Sequence, residues 1–276
     1  MTPTKTQVGG IAITAVSDGI LKTGLDVVLG LDREECERLA GTAFDAPIYL
    51  HVNSFLIEFD DRRILVDTGA GTSMQPTLGR LADNLRAIGT PPESIDTILL
   101  THLHGDHANG LIDDTGKPLY PNAGLILHEL ESRFYLEREP NERDSDRVRR
   151  AIPITKRVTA PYRDRIRTIS GGEALPGISA ILQPGHTPGH TCWMIESRGE
   201  RLLIWGDIVH LASVQVPRPD AALVYDVDPV LAPKTRAEVF AWIAIERLPI
   251  AGAHLEFPGF GMLRRHGDGY AIVSVA

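Results

Sequence analysis

The chain has 276 residues and a formal net charge of −8, with 43% hydrophobic and 23% charged residues. That balance belongs to a folded chain able to bury a substantial core, and it excludes nucleic-acid binding over the whole surface while leaving a local basic patch open. The two cysteines, Cys36 and Cys192, stand far apart outside any CxxC pattern, which excludes a disulfide framework and a thiolate zinc site.

Residues 1–10 lack an apolar segment flanked by basic residues, and no run reaches the roughly 18 apolar residues of a membrane span. A cytoplasmic protein with no membrane partner is expected. Loose alternation over residues 8–16 predicts a first strand, and residues 32–40 a short helix capped by Asp32. Residues 49–59 and 62–66 read as a hairpin over Asp60 and Asp61. Gly69 and Gly71 follow it, but Met74 holds the third glycine position of a dinucleotide fingerprint, so that match fails. Leu78, Leu81, Leu85 and Ile88 are spaced for an amphipathic helix over 76–88, ended by Gly89.

A buried strand is predicted at 97–100, another at 124–127, and a helix at 128–139. Residues 133–167 hold eleven Arg or Lys against six Asp or Glu, a local +5 that leaves −13 for the remainder. This segment reads as a solvated helix with ion pairs, or as a cap or subunit contact over 128–165. Strands near 166–169, 178–182, 192–197 and 201–205 are close enough to be antiparallel meander pairs. A helix over 233–247, with Val239, Trp242, Ile243 and Ile245 on its buried side, and a strand at 270–275 complete the chain. Two βα-type halves in one domain spanning 1–276 are expected.

The densest chemistry is residues 101–107, THLHGDH, at the end of the strand 97–100. On an extended segment His102 and His104 point to the same side and can share one ion. Gly105 permits a turn that lets Asp106 and His107 face a neighbouring ion. Further ligand types stand at other strand ends: His186 in PGHTPGH, Asp207 after Gly206, and His254 after an apolar run. Imidazole and carboxylate donors without cysteine suit two divalent ions, Zn²⁺ first, with Mn²⁺, Fe²⁺ or Co²⁺ also compatible. Such a pair can activate a water as hydroxide at neutral pH and polarise a substrate carbonyl. No GxSxG motif offers a serine alternative.

The order HxHxDH, His, Asp, His resembles the metallo-β-lactamase superfamily. That resemblance implies an α/β fold, a four-layer αββα sandwich. It assigns His102, His104 and His186 to the first ion, Asp106, His107 and His254 to the second, and Asp207 to a bridging place. It also makes Asp67 a supporting residue rather than a ligand. The segments ILVDTGAG, QPTLGRLADNL, PGHTPGHT and AHLEFPGFGMLRRHGDGY resemble the branch containing methyl parathion hydrolase and related lactone or ester hydrolases.

The expected function is therefore a dinuclear hydrolase of small lactones or carboxylic esters acting through a metal-bridging hydroxide, with Asp106, Asp207 and His210 as catalytic residues. His210 stands where acyl-homoserine lactonases of the superfamily carry a tyrosine. Met74 and Tyr135 stand where the aromatic cage of methyl parathion hydrolase is expected. Organophosphate triesters are the alternative substrates and acyl-homoserine lactones a more remote one. Nucleases share HxHxDH but need a basic groove, and di-iron redox proteins carry a flavin domain not apparent here. His190 is expected to be structural, His51 and His128 ordinary, and Phe134, Trp193 and Trp205 core. A homodimer is the expected assembly.

Overall fold

The computed structural model of the protein describes residues 4–274. Strand β1 (Thr4–Val8) turns at Gly9 into the long strand β2 (Ile11–Thr23). The strand expected at 8–16 is thus the junction of a hairpin. Its β1 arm is mostly exposed and polar, so it carries no apolar alternation. After strand β3 (Val28–Leu29) comes helix α1 (Arg33–Ala40), started by Asp32, whose carboxylate accepts from the Glu35 amide at 2.8 Å. Such a cap contributes about 1 kcal/mol.

Strands β4 (Ile48–Phe59) and β5 (Arg62–Val66) form the expected hairpin. The helix expected over 76–88 shortens to α2 (Leu81–Ala87). The buried Asp18 carboxylate accepts from the amides of Ala70, Gly79 and Leu81, which holds the preceding residues as a loop.

Strand β6 (Thr97–Leu99) leads to the short helix α3 (Gly105–Ala108), and strand β7 (Gly124–His128) to α4 (Glu129–Tyr135) and α5 (Asp146–Thr159). Helix α4 is shorter than the expected 128–139. Strand β8 (Ile166–Ile169) was expected in a meander with the strands after it. It lies instead parallel to β7 at the edge of the first sheet, because α4 and α5 make a crossover between the two.

Strands β9 (Gly172–Leu175), β10 (Ile178–Leu182), β11 (Thr191–Ser197) and β12 (Glu200–Ile204) do run antiparallel in succession. Helix α6 (Ala212–Gln215), strand β13 (Ala222–Leu223), helix α7 (Leu231–Glu246) and strands β14 (Pro249–Ala251), β15 (Phe260–His266) and β16 (Gly269–Ser274) follow. The strand expected at 270–275 starts one residue earlier, and Val275 lies outside the described residues. On α7, Val239 and Ile243 are buried as expected, but Ile245 is 80% exposed. Two residues past Ile243, it lies about 200° round the helix.

One seven-stranded sheet has the order β1-β2-β4-β5-β6-β7-β8, the other β16-β15-β14-β12-β11-β10-β9. Strict alternation packs them together. Phe55, Ile57, Ile64, Val66, Leu99 and Ile126 face inward to meet Trp193, Ile195, Leu202 and Ile204 of the second sheet. Their neighbours Leu56, Leu65, Ile98, Leu125 and Leu127 face outward onto α2 and α5. Likewise Met194 and Leu203 face α7. Both faces of each central strand are therefore apolar, which gives four layers, αββα, and an α/β fold as expected.

Candidate metal centre

Four strand ends on one edge of the sandwich supply the candidate ligands. The segment after β6 carries His102, His104, Asp106 and His107, while His186 follows β10, Asp207 follows β12 and His254 follows β14. His104 is extended (φ −70°, ψ 160°) and caps α3, so His102 and His104 lie on an extended segment and Asp106 and His107 on a helical turn. That change of backbone turns the two pairs in different directions. Gly105 is not the turn expected of it but the first residue of this helix. A Cβ there would sit 2.8 Å from the Asn109 side chain and 3.2 Å from the Met74 sulfur, so close packing explains the glycine. Gly206 is required in both senses: its φ is 56° and a Cβ would lie 2.7 Å from His190 Nε2.

Asp207 is the centre of the group. Its carboxylate lies 2.9 Å from His210 Nε2, 3.1 Å from His107 Nε2 and 3.3 Å from His254 Nε2. His186 Nε2 and His102 Nε2 lie at 3.4 and 3.6 Å. Asp106 approaches His254 Nε2 at 3.4 Å and His107 Nε2 at 3.8 Å. His104 Nδ1 and His186 Nε2 face each other at 2.8 Å.

Four sets of side chains each converge within 4.8 Å: His102, His104 and His186; His102, His107 and Asp207; Asp106, His107 and His254; and His186, Asp207 and His210. The seven residues read from the sequence as ligands therefore meet in space. His210, read as catalytic, joins them.

The opposite ring nitrogens are occupied. His107 Nδ1 donates to Asp67 Oδ2 at 2.8 Å, His186 Nδ1 to Asp226 Oδ1 at 2.9 Å, and His254 Nδ1 to the His51 carbonyl at 2.8 Å. These partners orient the three rings with each Nε2 turned toward the shared centre. Among the described residues, Nε2 of His102, His107 and His254 and Oδ1 of Asp207 are buried with no hydrogen-bond partner. Buried polar atoms with no partner are costly, and a cation at their focus would satisfy all of them. The donor set of imidazole and carboxylate fits divalent ions.

The electrostatics agree. Burial pushes His102 and His104 well below the ordinary imidazole value, leaving them neutral, the state in which an imidazole can bind a metal ion. Burial also opposes charge on Asp207, but the imidazoles of His107, His254, His210 and His102 hold it well below the carboxylate range. For His107 burial is outweighed by Asp207, Asp67 and Asp106, which raise it well above its usual value. The centre draws positive charge to itself.

Several supporting residues had no signature in the sequence. Asp226 takes His186 Nδ1 on one oxygen and the Leu223 amide on the other. Glu131, fully buried, accepts from the amides of Leu103 and Gly189 and from the Thr187 hydroxyl, tying the His102–His104 segment to the His186 loop. Burial pushes its carboxyl up to about 7 against those three donors. His51 enters the site only through its backbone carbonyl, which orients His254, so the reading of its side chain as ordinary is untouched. His190 has the structural place expected: Nδ1 donates to the Gln183 carbonyl at 3.1 Å and Nε2 accepts from the Asp207 amide at 2.9 Å. Trp193 and Trp205 are fully buried core, whereas Phe134 is partly buried with the Arg138 guanidinium 4.2 Å from its ring centre.

A cavity of about 830 Å³ opens over the centre, and Met74, Tyr135 and His210 all line it. Tyr135 is buried with its hydroxyl unpartnered, His210 Nδ1 is likewise unpartnered, and Met74 is 42% exposed. No helix of the described residues is long and apolar enough to cross a membrane.

Comparison with known proteins bears on the same residues. The sequence pattern of the metallo-beta-lactamase superfamily matches residues 48–254. The lactamase-like protein vrtG of Penicillium aethiopicum is 34% identical over 160 residues, covering 57% of this chain and 40% of its own length. An N-acyl homoserine lactonase of Bacillus thuringiensis is 27% identical over 168 residues, covering 54% of this chain and 59% of its own. The chain thus spans about half the length of these curated relatives.

Among solved structures, the hydrolase AbOPH of the beta lactamase superfamily superposes with a TM-score of 0.92 at 32% identity, over 99% of this chain and 97% of that one. AidC, a dizinc quorum-quenching lactonase in complex with its product, superposes with a TM-score of 0.90 over 99% of this chain and 97% of that one. At 23% identity this second likeness is one of fold.

Proposed function

The chain belongs to the metallo-beta-lactamase superfamily, and from that premise we propose that it is a dinuclear metal-dependent hydrolase of small lactones or carboxylic esters. The observation that carries this reading is the set of buried, partnerless acceptor atoms converging on the floor of the cavity. In the proposed assignment His102, His104 and His186 hold one ion, Asp106, His107 and His254 the other, and Asp207 lies between them. When bound, two divalent ions, Zn²⁺ first, supply Lewis acidity and make water a nucleophile at neutral pH.

The protein's own share is positioning. Asp67, Asp226 and the His51 carbonyl orient the rings of three ligands, and the Asp207 amide is fixed by His190. His210 Nε2 donates to Asp207 Oδ2 and so orients the shared carboxylate. The Tyr135 hydroxyl, buried beside the cavity and without a hydrogen-bond partner among the described residues, is proposed to reach a substrate oxygen by a side-chain adjustment on binding. The helical segment 128–165 forms one wall of that cavity through α4 and α5 and acts as its cap.

Steady-state assays of the zinc-loaded protein with an aryl lactone, an acyl-homoserine lactone and a dialkyl aryl phosphate test the assignment. The lactone is expected to be turned over best, and Tyr135→Phe to lower its kcat/KM about tenfold through loss of one hydrogen bond. Equal or better turnover of the phosphate would replace this reading with a phosphotriesterase.

A further inference from the structure

The walls of the cavity carry charge that ester hydrolysis does not use. Helix α5 turns Arg147, Arg150 and Arg157 toward the cavity at the spacing of one helical face, and Lys22 of β2 also lines it. Four other basic residues nearby are paired: Arg133 with Glu129, Arg138 with Asp144, Arg149 with Asp146 and Lys156 with Glu139. No ion pair among the described residues involves the four that line the cavity. The carboxylates in the same cavity, Asp106, Asp207 and Asp226, face the histidines of the floor.

Arg147 is also held in place. Its guanidinium lies 4.8 Å from the centre of the Tyr225 ring, and the Tyr225 hydroxyl bonds Thr23 Oγ1 at 2.6 Å. The Tyr225 ring lies 5.8 Å from that of His210, so a single aromatic ring separates Arg147 from the metal centre. One turn further along α5, Arg150 Nε donates to the Asp146 carbonyl at 3.2 Å. Two guanidinium groups one turn apart, unpaired and partly ordered, make a receptor for a carboxylate.

We propose that the substrate carries a carboxylate remote from the scissile bond, received by Arg147 with Arg150; this deepens the hydrolytic reading above and rests on it. In a protein of net charge −8 such a basic wall is also a local attractor for an anion that the rest of the surface repels.

The test compares the 4-nitrophenyl monoester of glutaric acid with its neutral methyl-capped analogue, on the zinc-loaded wild type and the Arg147→Ala/Arg150→Ala variant. Arg149→Ala, which removes a paired arginine, is the control. The wild type is expected to favour the anionic ester, and the double variant to lose about tenfold of that preference, mainly in KM, at low salt. Arg147→Lys should recover only part of it, since an ammonium does not make the forked contact.

Calorimetric binding of monomethyl glutarate, with dimethyl glutarate as the neutral reference, gives a second readout that needs no turnover. Hydrolysis of both esters without preference, or anion binding unaffected by the double substitution, overturns the carboxylate site. Failure of the wild type to hydrolyse either ester, with arginine-dependent anion binding intact, overturns the hydrolytic reading and leaves the anion site standing.

Discussion

Asp67 shows how much one residue outside the candidate ligand set decides. It sits in the left-handed region at φ 59°, a conformation costly for most side chains. There it accepts three hydrogen bonds, from the Thr101 amide, the Thr101 hydroxyl and His107 Nδ1. Asn tolerates the same backbone, so Asp67→Asn isolates the loss of charge and of one acceptor. It is expected to weaken metal retention by roughly 10- to 100-fold in a chelator competition.

His190 makes a different prediction. Burial pushes its imidazole down to about 3. Above the ordinary value of 6.5 both folded and unfolded chains hold it neutral, and nothing is lost. As pH falls below 6.5 the unfolded chain takes up a proton that the folded chain refuses, so stability drops by about 1.4 kcal/mol per pH unit until the folded value is reached. His190→Gln, whose amide can both donate and accept, is expected to show a shallower acid limb in denaturation midpoints between pH 6.5 and about 3. An unchanged slope would remove His190 from that account.

At this scale the convergence of the candidate ligands was legible, because His and Asp cluster at strand ends where bland residues are the norm. Asp226, Glu131 and the His51 carbonyl were not. Each acts across a sequence gap through a single polar contact, and no local spacing encodes that.

Elements were legible where one local signal sufficed. The Asp32 cap, the hairpin of β4 and β5 and the meander from β9 to β12 follow from capping, turn and alternation. Misreadings share a cause in distant contacts. Asp18 shortened α2 by taking the amides around Gly79, and the crossover through α4 and α5 carried β8 into the other sheet. The bend from His104 into α3 was invisible as a helix because four residues are too few for any periodicity.

The central strands bear the structural load. Leu99, fully buried between the sheets, lies two residues before the candidate ligand segment 101–107. Leu99→Ala is expected to cost about 2–5 kcal/mol in denaturant unfolding. A loss under 1 kcal/mol would mean the sheets repack freely around that position.

For the whole molecule, the division of charge matters most. Carboxylates and imidazoles form the floor of one cavity, while unpaired arginines stand on its wall. Chelation should leave the αββα core folded, since its packing is independent of the floor. It should lower the thermal midpoint, because ions bound only by the folded chain stabilise it. A midpoint indifferent to chelator and to added Zn²⁺ would show that the floor holds no ion.

The proposed hydrolysis requires that this floor bind two divalent ions and that both be present. Titrating chelator-treated protein with Zn²⁺ while following hydrolysis of an aryl lactone tests it most directly. The rate is expected to rise until two equivalents are bound and to stay flat beyond. A rate that saturates at one equivalent, or one that ignores zinc altogether, would contradict it.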